Sequence, residues 1–343
     1  MLDQIFSQDC KYIIKKVNLN KIENSRVLIL GANSFFAAYI QSVLLIKNCK
    51  LTSISLNKPK GIFKILKKNK NVKYIQLNLS NSNRLKNILI KKFDYIFHCA
   101  TYGQPQKWAG NEFNTINLNT NVVKLILDHS KKFKSKILFL SSSSLYDAST
   151  NKKYLDENSK LGEGNFLQES FYINSKIIAE KLCKMYKERY NLPVFIARLG
   201  HTYGPGQNID DPRVLPQLIK RAIFEKKVYL FDRGSTIRTW TYIADAVIML
   251  LNIIQYGKSD IYNVCGKESQ SILSIAKLVS KNFNKIPLEF RDKNLSYTNR
   301  KSSVLKISSK KYFKEFKKIN FLKFSNGLDR LIKWNKFCLE QKK

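Results

Sequence analysis

The 343-residue sequence predicts an α/β fold, a doubly wound parallel sheet with helices on both faces, and three observations predict it. Apolar runs of strand length alternate with helix-length periodic segments through the first 200 residues. Those runs read as strands buried on both faces, as in parallel sheets. The first of them, Val27-Leu28-Ile29-Leu30, feeds a turn at Gly31 that opens a helical stretch. In order, strands are expected at 26–30, 51–56, 72–77, 94–99, 136–140 and 193–199. The helical periods between them fall at 34–46, 84–91, 114–133 and 169–190, with a polar stretch from 141 to 163. Beyond residue 200 the pattern loosens into helices at 214–225, 243–254 and 272–283 and short strands at 228–231 and 261–264. No repeat and no Pro/Gly/Ser-rich linker separates this region, so it reads as a lobe resting on the sheet.

Hydrophobic residues make up 44% of the chain, enough for a sizeable core. The first sixteen residues lack the continuous apolar run of a secretory signal, and the longest apolar stretches, such as 246–251, are too short to cross a bilayer. A soluble, cytoplasmic chain is expected. Six scattered cysteines form no C-x-x-C pair and have no histidine cluster beside them, which argues against a metal site and against a disulfide framework. The net charge of +36 invites a nucleic-acid reading. Only 11 of the 61 basic residues are arginine, however, and the lysines run through every segment with Asn and Ile. That is the signature of biased coding rather than of a groove reader, so no specific nucleic-acid partner is expected. The field would still draw in a polyanionic small substrate.

The stretch "FYINSKIIAEKL" (171–182) carries the chemistry. Tyr172 and Lys176 stand four apart at the start of an amphipathic helix and share one face. An ammonium about 4 Å from a phenolate, at an effective dielectric near 20, is worth roughly 4 kcal/mol before the lysine's own desolvation. Such a pairing would draw the phenol toward neutrality and make it a general base or acid. Upstream, "ILFLSSSSLYD" (137–147) ends an apolar strand in hydroxyls at the carboxyl edge of the sheet. Downstream, "ARLGHTYGPGQ" (197–207) leads another strand into a Tyr-Gly-Pro-Gly turn.

With "FDYIFHCAT" (93–101), "STIRTWTYIADAV" (235–247) and "IYNVCG" (261–266), these motifs resemble the extended short-chain dehydrogenase/reductases, specifically the NAD-dependent nucleotide-sugar epimerases and dehydratases, over residues 26–334. The resemblance implies an N-terminal extension (1–25), a Rossmann-type NAD(P)-binding domain with the catalytic Tyr and Lys (26–200), and a smaller C-terminal α/β substrate-binding lobe (201–343) interleaved with it. It implies a hydride taken from a sugar carbon by the nicotinamide while Tyr172 removes the hydroxyl proton. Lys176 would hold the phenolate and the nicotinamide ribose, Ser142 would bond the reacting oxygen, and Asn117 matches a further active-site position. For the cofactor, Gly31 makes the tight bend of a G-x-x-G-x-x-G turn in which Ser34 and Ala37 replace the later glycines. The Ser34 Cβ is expected to crowd the pyrophosphate, while its hydroxyl and the helix-start amides at Phe35 and Phe36 offer donors. Asn57 stands where the ribose carboxylate is usual, with Lys58 and Lys60 beside it, so NAD is expected and NADP stays open. Asn78 and Leu79 would lie near the adenine, and Cys99, Ala100, Thr101 and Leu199 along the dinucleotide. Ser143, Ser144, His201, Arg238 and Arg300 would contact a nucleotide-sugar substrate.

Dehydratases of the family carry Asp-Glu after the catalytic Ser/Thr, and decarboxylases keep the Glu; here Ser143 and Ser144 stand instead, with Asp147 and Glu163 as carboxylates that could enter from the loop. Elimination needs an acid and a base there. The resemblance therefore implies first a 4-epimerase working through a 4-keto intermediate in polysaccharide precursor synthesis. The alternatives are a dTDP-glucose 4,6-dehydratase-like or UDP-glucuronate decarboxylase-like enzyme, a 4-ketoreductase, and a non-catalytic nucleotide-sugar binder. A homodimer through the helix after the fourth strand and the Tyr-Lys helix is also implied.

Overall fold

The computed structural model describes residues 4–103, 110–147, 149, 153–162, 168–291, 303–317 and 319–340. Val27, Leu28, Ile29 and Leu30 are fully buried, as a strand covered on both faces requires. They form β1 (Arg26–Leu30), the middle of a parallel sheet. On one side of it lie β2 (Lys50–Ser55) and then β3 (Val72–Gln76). On the other side come β4 (Tyr95–His98), β5 (Lys136–Ser142), β6 (Val194–Leu199) and, at the far edge, β10 (Ile261–Val264). The order β10-β6-β5-β4-β1-β2-β3 reverses direction between β1 and β4. Such a switch point opens a crevice at the carboxyl ends of the strands, where the sequence motifs converge.

Each face of the sheet carries its own core. One packs α1 (Gln4–Lys16), α2 (Phe35–Ile46), α8 (Val214–Phe224), α9 (Ile243–Tyr256), α10 (Ile272–Asn282) and α12 (Phe324–Glu340), through residues such as Ile13, Ile40, Val247 and Leu328. The other packs α4 (Ser82–Leu89), α6 (Asn121–Phe133) and α7 (Gln168–Tyr190), through Leu85, Ile126 and Ala179. The short α3 (Ile62–Leu66) follows β2, and α11 (Lys310–Glu315) precedes α12. In the lobe, β9 (Ile237–Tyr242) pairs with β7 (His201–Tyr203), β11 (Ser269–Ser271) and β13 (Val304–Leu305), while β8 (Val228–Leu230) pairs with β12 (Leu288–Phe290).

Two differences from expectation have local causes. The helix expected over 114–133 is divided into α5 (Glu112–Asn119) and α6 at Thr120, whose backbone is distorted within the helical region to φ −116° and ψ −75°. The Thr120 hydroxyl donates to the Ile116 carbonyl at 2.8 Å, a back-bond of the kind that bends helices, beside the Thr120 amide, which reaches the same carbonyl at 2.9 Å. The N-terminal extension also holds a helix: α1 buries Phe6, Asp9, Cys10 and Ile13 at helical spacing. Among the described residues no helix is long and apolar enough to cross a membrane.

Candidate active site

The turn after β1 is built around Gly31, at φ +80°. A Cβ there would lie 2.6 Å from the Ala100 backbone, so the end of β4 presses directly on the turn and only glycine fits. Ser34 is the N-cap of α2: its Oγ accepts from the Ala37 amide at 3.4 Å and hydrogen-bonds the Cys99 thiol. Ser34 thus has a capping role, with Ala37 packed fully inside. The cap engages the third amide of the helix, leaving those of Phe35 and Phe36 as the first-turn donors for an anion. The Phe35 ring packs toward Gly206, whose added Cβ would touch it at 3.5 Å, and so reaches the Gly-Pro-Gly turn of the lobe. Asn57 and Asn78 are both exposed. The Asn57 carbonyl accepts from Asn33 Nδ2 at 2.8 Å, whereas Asn78 Oδ1 accepts from its own turn at Ser80. Leu79 is buried in the second core, and Leu199 ends β6.

Tyr172 lies in the first turns of α7, only 7% exposed, and its phenol hydrogen-bonds Ser142 and Thr101. The strand-end hydroxyl and the helix phenol therefore meet. Ser142 also accepts from the Ser144 amide at 3.1 Å, which fixes the 3-10 turn that follows β5. Lys176 is 1% exposed, and its Nζ donates to the Leu140 carbonyl at 2.7 Å, over the ring of Phe139. Burial pulls its pKa down to about 7, against the pull of Glu180.

The expectation that Lys176 draws the phenol toward neutrality is corrected by this geometry. Tyr172 titrates above its ordinary value because burial dominates; Ser142, Thr101 and the positive charge of Arg213 oppose it. Arg213 itself is held by Asp211, Nη2 to Oδ2 at 2.6 Å. Asn117 is half-buried on α5, and the tie from that helix to the tyrosine turn comes from Asn119, whose Nδ2 donates to Ser175 Oγ at 3.0 Å. Ser175 in turn donates to the Tyr172 carbonyl at 2.9 Å.

Under the lobe, His201 pairs in register with Trp240, with ring centroids 5.5 Å apart. Burial beside the cations of Arg238 and Arg213 takes its pKa down to about 3, so it is neutral, and its buried Nδ1 has no partner among the described residues. Arg238 donates from Nη1 to the Ser303 carbonyl and from Nη2 to Ser303 Oγ, both at 2.6 Å. Ser143 is buried and Ser144 exposed. Asp147 Oδ1 accepts from the amide and hydroxyl of Ser149, which holds its pKa below the ordinary value. Arg300 and Glu163 lie outside the described residues.

Sequence reading had missed Arg213, Asn119 and Ser175, and had assigned Thr101 to the cofactor alone. Each is placed by tertiary contact; the only trace in the sequence is Asn119 and Ser175 standing beside motif positions. Among the described residues no group of three His, Cys, Asp or Glu could hold a metal, and all six cysteines are free thiols.

Comparison with known proteins shows the family and the fold. A Streptomyces dTDP-4-dehydro-6-deoxy-D-allose reductase is 25% identical over 74% of this chain and 79% of its own length. UDP-glucuronic acid decarboxylase 1 of Danio rerio is 23% identical over 76% of this chain, which spans 61% of that relative. The structure of UDP-glucuronic acid 4-epimerase from Bacillus cereus in complex with UDP-glucuronic acid and NAD shares the fold, with TM-score 0.77 and 22% identity over 91% of this chain and 99% of that one. The model of the NAD dependent epimerase/dehydratase family matches residues 27–265. With that match over well beyond half its length, the chain belongs to the NAD dependent epimerase/dehydratase family.

Proposed function

We propose that this protein is a nucleotide-sugar 4-epimerase acting through a 4-keto intermediate. One observation carries the choice of reaction: serines follow Ser142 where elimination or decarboxylation would need carboxylates. The site fits NAD, since Gly31 leaves no Cβ between the turn and the end of β4, and the buried Asn33 Oδ1 beside it is an acceptor without a partner among the described residues. Bound there, the nicotinamide supplies a hydride acceptor and then a donor. Tyr172 moves the proton on the sugar hydroxyl, and Ser142 bonds the same oxygen. Lys176 would turn from the Leu140 carbonyl to the nicotinamide ribose. Residues 26–200 hold the dinucleotide and 201–343 the sugar nucleotide, with Arg238 and His201 facing its diphosphate and sugar. An Arg suits phosphate oxygens, and an uncharged imidazole can donate or accept.

The protein is placed in the cytoplasm, where six free thiols stay reduced. It acts as a homodimer through α5 and α7, whose Phe113 (89% exposed), Ile178 and Met185 present apolar side chains outward. Phe113→Lys with Met185→Lys should yield a monomer in light scattering; an unchanged mass would rule out this face. Incubation with NAD and a panel of sugar nucleotides, followed by NMR and mass spectrometry, tests the reaction. An isomer of unchanged mass is expected from one of them, and Tyr172→Phe should lower its turnover about 10²–10⁴-fold. Loss of water or of carbon dioxide would replace epimerisation by the corresponding lyase reaction.

A further inference from the structure

Between Glu23 and Asp94 the sequence carries fourteen basic residues and no acidic one. This stretch builds β1, α2, β2, α3, β3 and α4, the half of the sheet that would face the adenosine end of a dinucleotide. At the end of the second strand of such sheets, a carboxylate bonds the ribose 2′-hydroxyl and repels a phosphate, whereas a cation accommodates the phosphate. Here the chain leaves β2 through Leu56-Asn57-Lys58.

The backbone at this point is clamped from two sides. Asn33, in the glycine turn, donates from Nδ2 to the Asn57 carbonyl at 2.8 Å and to the Lys58 carbonyl at 3.3 Å. Tyr74, on β3, donates its hydroxyl to the same Asn57 carbonyl. Over the ring of the same Tyr74 lies the Lys67 ammonium, 5.6 Å from the centroid, so a second cation is steadied on the residue that clamps this turn. Asn33 Oδ1 is buried without a partner among the described residues, an acceptor suited to a ribose hydroxyl. Asn57 adds no charge. A single exposed lysine is heavily screened at physiological salt, but Lys58, Lys60, Lys64 and Lys67 fall within ten residues of chain with no acidic residue among them, and like charges so grouped act together.

We propose that the adenosine pocket of this protein admits a ribose 2′-phosphate, so that NADP(H) binds at least as tightly as NAD(H). The proposal rests on the dinucleotide-binding reading of the site. Its test is direct binding of NADH and NADPH to the intact protein by fluorescence and calorimetry, with 2′,5′-ADP and 5′-AMP as fragments that carry no reactive ring. NADPH should bind as tightly as NADH or tighter, and 2′,5′-ADP about tenfold tighter than 5′-AMP, an advantage that shrinks with added salt. Lys58→Ala should weaken NADPH alone, and Asn57→Asp should reverse the order by about tenfold; both positions are exposed, so folding is expected to survive, checked by the melting curve. NADH binding tighter than NADPH in the unsubstituted protein would overturn the proposal and leave the site reading standing. Absence of binding by either dinucleotide would overturn both.

Discussion

Gly31 tolerates no replacement, for two separate reasons. A positive φ costs an L side chain about 1–3 kcal/mol, and the Ala100 backbone 2.6 Å from the added Cβ cannot swing away as a side-chain tip could. Gly31→Ala should therefore abolish dinucleotide binding, read as loss of the ligand-induced rise in Tm. Ser34→Gly, by contrast, should cost only a few tenths of a kcal/mol, since glycine is itself a fair N-cap. At Tyr172 the prediction concerns pH. A base whose pKa is raised is scarcer at neutrality, so kcat/KM of the free enzyme should climb as pH rises through the neutral and into the alkaline range. Arg213→Gln removes a charge that favours the phenolate and should push that limb further alkaline, while Arg213→Lys should restore part of it. The pairing of Tyr172 with Ser142 was legible, because strand-end hydroxyls and helix-start phenols share one edge in this topology. Arg213 was not, because it approaches from a loop some forty residues on, and no spacing rule relates the two.

The long helix α7 is fastened to the sheet by ions rather than by oil alone. Glu180 and Arg198 pair at 2.6 Å with both side chains about 95% removed from solvent, and Ser141 donates to Glu180 at 2.6 Å. Arg198 also reaches the Tyr146 hydroxyl and the Glu157 carbonyl, and Tyr146 donates to Asn263 on β10. Removing one partner strands the other charge in the interior. Arg198→Met should destabilise the protein by about 3–5 kcal/mol in denaturant melts, and the double replacement with Glu180→Leu should recover much of it. Strands of the main sheet were readable to within a residue or two, β2 at Lys50–Ser55 against 51–56 for instance, because continuous apolar runs leave little choice. The lobe was not: β7, β11 and β13 have two or three residues each, too few for any period to show. In α1, the buried Asp9 interrupts the apolar stripe; it is satisfied by Tyr39, Tyr242 and Arg330, far away in sequence.

Across the molecule, buried bases tie stability to pH in one direction. His98 is fully buried with its pKa pushed down to about 3 by desolvation and the nearby Lys176. Between about 3 and 6.5 the unfolded chain binds a proton that the folded one refuses, so stability falls as pH drops through that window. The loss approaches about 1.4 kcal/mol per pH unit for this group, and His98→Asn should flatten the Tm profile below pH 6.5. Lys176, held down to about 7 from 10.5, adds the same sign higher up, stability rising from pH 7 toward 10. The sheet's last strand has a consequence for dissection of the gene. A product halted at codon 200 would end with Val194–Leu199 bare along one side, its main-chain amides and carbonyls offered to any neighbour and its side chains almost wholly apolar. Such a fragment should precipitate on expression, whereas one carried past codon 264 gains the strand that seals that flank.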